Sequence, residues 1–193
     1  MIYRRGGKRA LDLALSIVGL VLFGPVILLG WLAVKLSSAG PGFLHQTRVG
    51  ADERPFRLHK LRTMTVDPDR VLIQTMSRDP DVLPIGRVLR RFKIDELPQI
   101  ANVLAGEMSF VGPRPCMPVT AEGMPDWARQ RFSVRPGMTG LAQVNGNAGL
   151  SWEERWRHDV AYVDQYSVGL DWEIMLKTLA VIFFGEDRFR SAS

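Results

Sequence analysis

Residues 93–100 read Lys-Ile-Asp-Glu-Leu-Pro-Gln-Ile, so two adjacent carboxylates, Asp95 and Glu96, follow a cationic run of Arg87, Arg90, Arg91 and Lys93. Carboxylates beside cations can hold a divalent metal, move a proton, or attack a phosphorus whose charge the cations have drawn in. Leu97, Ile100, Val103 and Leu104 recur at helical period, and Pro98 is tolerated in a first turn. The pattern predicts a helix that starts at the pair. Asp95 then sits at or near the N-cap, where free N–H groups and the helix dipole favour an ionised carboxylate. A capping aspartate with a decorative glutamate fits the same letters, and on these residues alone that plainer reading leads.

Three other segments carry charge in a constrained setting. Phe56, Leu58, Lys60 and Arg62 alternate, which predicts a strand with Lys60 and Arg62 on one face. A solvated strand edge would read the same way. In Gly112-Pro113-Arg114-Pro115 a proline on each side restricts the backbone at Arg114. A guanidinium so aimed can meet a phosphate with two parallel hydrogen bonds, or simply pair with a neighbour across a rigid turn. The segment from Arg135 to Gly146 repeats the Arg-Pro pair and adds three glycines, which permit close backbone approach to a ligand. Gln143, Asn145 and Asn147 offer amide contacts to a base or a sugar.

These elements sit in a chain of 193 residues with net charge +5 and pI near 9.8, which points to an anionic partner: nucleic acid, a phosphorylated substrate or lipid headgroups. The single cysteine, Cys116, excludes an intrachain disulfide. His45, His59 and His158 are far apart, and no zinc spacing, Gly-x-Gly-x-x-Gly or phosphate-loop lysine motif occurs. Between Leu13 and Val34 there is no charge, a run long enough to cross a bilayer core. Its flanks are basic at both ends: Arg4, Arg5, Lys8 and Arg9 before, Lys35, Arg48, Arg54, Arg57, Lys60 and Arg62 after. Positive charge marks the cytoplasmic side, and Gly24-Pro25 lies mid-run, where proline removes a backbone hydrogen bond. A helix that kinks at Pro25 and returns to the face it entered satisfies both observations; a kinked spanning helix satisfies the second alone.

Taken together, the basic-flanked apolar segment, Lys60-Leu61-Arg62-Thr63-Met64, Asp95-Glu96-Leu97-Pro98, Val111-Gly112-Pro113-Arg114-Pro115 and Val134-Arg135-Pro136-Gly137-Met138-Thr139-Gly140 closely resemble one family. The chain is similar, from about Lys8 to about Leu179, to small monotopic phosphoglycosyl transferases, bacterial sugar transferases that start glycoconjugate assembly on a polyprenol phosphate. The resemblance implies an α+β fold: a re-entrant membrane helix over residues 1–37, broken at Gly24-Pro25, and a cytoplasmic catalytic domain over 38–193. That domain is expected to be small and mostly helical, with short β-strands and interfacial amphipathic helices. It implies Asp95 as nucleophile and Glu96 as its dyad partner. It also implies a magnesium ion with Asp95 or Glu96 as ligands, and phosphate contacts from Lys60, Arg62, Arg114 and Arg135. The implied partners are a UDP-sugar, a polyprenol phosphate such as undecaprenyl phosphate, and lipids of the bacterial inner membrane; a homodimer is admitted and nucleic acid is not. Relatives often carry serine before the proline and arginine in the place of Asn147, so this chain departs at both points.

The remaining segments are plainer. Asp67 to Pro84 reads as a surface loop with a short helix over the site, and Ile85 to Lys93 as a short amphipathic helix. Ser151 reads as an N-cap for a helix bearing Trp152, Trp156, Val160 and Val163. Trp172 to Phe184 is apolar but too short to span, and reads as an interfacial helix; Glu186 to Ser193 reads as a tail. Cys116 to Arg131 is the candidate for sugar choice. Two rival functions stand beside the transferase: a membrane-tethered nucleic-acid scaffold, which needs no carboxylate pair, and a nucleotide-sugar hydrolase using the same dyad with water.

Overall fold

The computed structural model describes residues 3–65 and 81–184. The loop reading for Asp67 onward, up to residue 80, and the tail reading for Glu186 to Ser193 lie outside the described residues. The apolar run forms a 30-residue helix, α1 (Lys8–Ser37), after a π-helical turn at Tyr3–Gly7. Pro25 lies inside α1 and helical structure continues through it. At 1.5 Å per residue α1 is about 45 Å long.

The burial of α1 is uneven along its length. Asp12, Ser16 and Gly19 are buried near its start and Gly30 and Val34 near its end, with no buried residue between Gly19 and Gly30. Small residues let the domain come close: a Cβ on Gly19 would lie 3.3 Å from Ile100 Cδ1, and one on Gly30 would lie 2.8 Å from Leu61 Cδ1. Beside Gly24 there is open space. The outer face shows Ile17, Val21, Leu22, Leu28, Leu29 and Leu36 to the exterior.

Two strands follow, β1 (Phe43–Val49) and β2 (Pro55–Leu61), antiparallel with Phe43 opposite Leu61 and Val49 opposite Pro55. Then come α2 (Pro84–Arg91), a 3-10 segment Ile94–Gln99, and α3 (Ile100–Ala105), which Gly106 ends in the left-handed conformation. β3 (Ser109–Val111) pairs in parallel with β4 (Gly137–Thr139). Between them lie α4 (Pro118–Glu122) and a 3-10 segment Asp126–Ser133. The chain ends its described part with α5 (Leu141–Val144), a 3-10 turn Asn147–Gly149, α6 (Trp152–Gln165) and α7 (Val168–Phe184). The mixture is helix with two short strand pairs, as the sequence led us to expect. Ser151 caps α6 through a reciprocal capping box with Glu154.

The core is divided into small clusters rather than one. Val34, Leu61 and Leu89 tie α1 to β2 and α2; Leu58, Val103 and Met108 tie β2 to α3. Val111, Val144, Tyr162 and Ile174 gather β3, α5, α6 and α7. The N-terminal cations also join the domain. Asp171 on α7 accepts from Tyr162 Oη at 2.7 Å and from Tyr3 and Lys8, while Arg9 donates to the Val103 and Leu104 carbonyls. Trp152 and Trp172 remain about half exposed, whereas Tyr162 is fully buried.

Candidate active site

β2 delivers Lys60 to the carboxylate pair because Leu58 and Leu61 are buried on the cores that flank the strand. The pair itself sits in the 3-10 segment that leads into α3, entered through Lys93 in the left-handed conformation (φ 56°). Asp95 therefore lies near the N-cap, in the first turn, as the spacing predicts; the N-cap itself is Lys93, and no side chain caps this segment. Its side chain is buried and its Oδ1 atom has no hydrogen-bond partner. Burial, followed by the charge of Glu96, pushes the Asp95 carboxyl up to about 6, against the pull of Lys60, Lys93 and Arg90. The expected stabilisation of its charge by a helix end gives way to the cost of burial.

Glu96 has the opposite balance. Burial acts upward, but Arg114 by charge and by a 2.5 Å hydrogen bond from Nη2 to Oε1, with Lys93 and Lys60, outweighs it and holds the carboxyl at about 2. Two neighbouring carboxylates are thus driven apart, the arrangement expected where one is a partner and the other a reactant. Burial lowers the Lys60 ammonium, opposed by Asp95 and Glu96. Arg48 of β1 also belongs here: it is half-buried beside Arg114 and Glu96, its Nη2 donates to Gln46 Oε1 at 2.9 Å, and its buried Nε is unpartnered. Sequence reasoning counted Arg48 only as a membrane flank. Arg48 lies opposite Phe56 in the register, with Leu44 opposite Lys60, so no spacing in the sequence marked it for the site.

The structure brings together Lys60, Asp95, Glu96 and Arg114, and it takes other candidates elsewhere. β2 ends at Leu61, so Arg62 does not share a strand face with Lys60. Its buried guanidinium donates to the Ala39 carbonyl at 2.6 Å and the Ser38 carbonyl at 2.9 Å, closing the C-terminal end of α1. Arg135 donates to the Gly106 carbonyl at 2.7 Å beside Arg9, so these two arginines cover the C-terminal carbonyls of α3. Arg135 also lines a cleft of about 580 Å³ with Arg4, Arg9, Arg54 and Phe56, which includes neither carboxylate of the dyad.

The glycines of the two Gly-Pro-rich motifs face each other rather than open space. A Cβ on Gly137 would lie 2.1 Å from Gly112 N, and one on Gly140 would lie 2.1 Å from the Gly112 carbonyl oxygen. The close approach that glycine permits is used for motif on motif. Gln143 donates to the Met138 carbonyl and Asn145 to the Leu141 carbonyl, local bonds within the same motif. Asn147 has φ 43°, a left-handed position that asparagine tolerates. No group of three potential metal ligands occurs among the described residues. A magnesium ion, however, is usually held by one or two carboxylates together with substrate phosphates. The partnerless Oδ1 of Asp95, adjacent to Glu96, fits that mode of binding.

The model of the family described as bacterial sugar transferase matches residues 3–185. The chain belongs to the bacterial sugar transferase family. It is 41% identical over 181 residues to a UDP-glucose:undecaprenyl-phosphate glucose-1-phosphate transferase of Escherichia coli (strain K12), covering 89% of this chain and 39% of the relative. It is 41% identical over 184 residues to a protein of the same name from Caulobacter vibrioides, covering 89% and 68%. It is 37% identical over 179 residues to the sugar transferase EpsL of Bacillus subtilis, described as uncharacterized, covering 93% and 88%. The chain thus spans well under half of the E. coli relative and most of the Bacillus one. As a bacterial sugar transferase it is a member of an enzyme family.

Proposed function

We propose that this chain transfers a sugar 1-phosphate from a UDP-sugar to a polyprenol phosphate, such as undecaprenyl phosphate, in an early step of exopolysaccharide or related glycan assembly. The observation that carries the proposal is a buried Asp95 carboxylate with a partnerless oxygen, set beside Lys60, Glu96 and Arg114. Asp95 attacks the β-phosphorus of the donor; the new Oδ–P bond forms as the bond to the bridging oxygen breaks. UMP leaves with that electron pair. An oxygen of the lipid phosphate then attacks the same phosphorus and returns Asp95 as a carboxylate, leaving a polyprenol diphosphate sugar. Lys60 and Arg114 draw in the diphosphate and counter its charge as the leaving group departs. A magnesium ion at Asp95 and Glu96 would supply further neutralisation of the diphosphate.

The membrane arrangement proposed with it is monotopic, on the cytoplasmic face of the inner membrane. What supports this is that one domain grips α1 at Asp12–Gly19 and again at Gly30–Val34, while the middle around Gly24-Pro25 stands free. A straight spanning helix would carry its two ends to opposite sides of the bilayer, beyond reach of a single polar domain. Cysteines placed near residues 4 and 40 are therefore expected to be labelled from the cytoplasm alone; labelling of one from the periplasm removes this arrangement.

The reaction is tested by UMP release over a panel of UDP-sugars, with and without undecaprenyl phosphate. With the right donor and no lipid, about one UMP per active site is expected, together with a phosphosugar adduct on the peptide containing Asp95. Lipid then discharges the adduct. Continued release without lipid would favour the hydrolase, and lipid-dependent release without an adduct would favour direct attack by the lipid phosphate.

A further inference from the structure

Arg114 is aimed by a strap, and the strap has few handles. Pro113 and Pro115 lack N–H groups, so the neighbouring structure can grip it chiefly through carbonyls. Three of them are gripped from three different elements. The Gly137 N–H of β4 donates to the Pro113 carbonyl at 2.9 Å, and the Val49 N–H of β1 donates to the Cys116 carbonyl at 3.0 Å. Between them, Nη2 of Arg131 donates to the carbonyl of Arg114 itself at 2.5 Å.

Arg131 is in turn held from behind. The same Nη2 lies 2.9 Å from Oδ2 of Asp159 on α6, and both side chains are only 4% exposed. A buried ion pair adds little net stability over an apolar pair of similar volume, so stability alone is a weak reason to build one. Burial pushes the Asp159 carboxyl up to about 6, against the pull of Arg131, which shows how much this placement costs the charge. The benefit falls on the Arg114 backbone, whose side chain then meets Glu96.

We propose that Arg131 and Asp159 are positioning residues for Arg114: α6 holds Arg131 through Asp159, and Arg131 holds the Arg114 carbonyl so that its guanidinium reaches the dyad. The proposal rests on the transferase reading above. Neither residue touches the reacting atoms, so the effect must pass through Arg114.

A double-mutant cycle on kcat/KM for UMP release tests this, with wild type, Arg131→Gln, Arg114→Ala and the double variant, each checked by its thermal midpoint. Arg131→Gln is expected to lower kcat/KM about ten-fold or more alone, but by less than about two-fold in the Arg114→Ala background. Arg131→Lys, which keeps charge and a donor, should recover part of the loss. If Arg131→Gln fails to fold, Asp159→Asn, of nearly equal volume, carries the same cycle. Equal fold-losses in both backgrounds, or full activity of the single variants, would overturn the relay. Absence of UMP release by the wild type on every UDP-sugar would instead overturn the transferase reading, and the relay with it.

Discussion

Around the dyad, cations face carboxylates; at the ends of α1 and α3, cations of the same type are spent on backbone carbonyls. Lys60, Arg48 and Arg114 belong to the first region, and Arg9, Arg62 and Arg135 to the second. All six look alike in the sequence, as basic residues flanking glycine, proline or apolar runs. The difference lies in prior commitments. A guanidinium that already donates to carbonyls at a helix C-terminus lies next to the negative end of the dipole, a poor place to receive an anion. One that shares a carboxylate can exchange part of that contact for a substrate phosphate at little cost in charge compensation.

The contrast predicts effects of different size and kind. The largest is at Asp95. Asp95→Asn should remove turnover and adduct together, with the thermal midpoint unchanged or raised, because a buried charge is deleted; residual turnover above about a thousandth of wild type would end its role as nucleophile. Next is Gly137→Ala, which forces a Cβ to within 2.1 Å of backbone at Gly112 and should disrupt the contact between the two motifs. Circular dichroism melts and UMP release should both collapse, whereas Gly24→Ala, beside open space, should leave both near wild type.

Intermediate effects should separate the two arginine classes. Arg114→Lys keeps a charge but loses the fork, and is expected to lower kcat/KM by about ten- to a hundred-fold with a normal melt. Arg62→Lys and Arg135→Lys should do the reverse: melting falls by a few degrees while activity of the folded protein stays within about three-fold. A normal melt with a large loss of kcat/KM at Arg135 would return that residue to phosphate binding.

The smallest effect is a shift along the pH axis. In the proposed mechanism Asp95 must be ionised to attack, and its carboxyl is pushed up to about 6, so kcat/KM should rise as pH increases through that value. Glu96 stays ionised throughout, because it is held at about 2. Its negative charge is one of the causes that raise Asp95, so Glu96→Gln should move the acid limb to lower pH by roughly half a unit or more, whatever it does to the maximum rate. An unmoved limb would separate the limb from Asp95.

How much of this was legible in the letters depends on the distance over which the cause acts. The apolar run, the strand through Phe56 and Leu58, the α6 start at Ser151 and the helical face of Ile100 and Val103 are set by local periodicity and capping. So is the juxtaposition of Asp95 with Glu96, which are neighbours in the chain, and the stiffness of the strap around Arg114. The family was legible for the same reason, since motifs in order are a one-dimensional property. The tertiary structure decided the rest. It buried Asp95 instead of letting it cap a helix, because α1, β2 and the 3-10 segment close over it, and water lost from a carboxylate outweighs a nearby helix end. It sent Arg62 and Arg135 to carbonyls, because helix ends bring unsatisfied acceptors near them that no spacing rule foresees. And it made the glycines of two distant motifs each other's neighbours, since how closely two backbones approach depends on where the fold brings them.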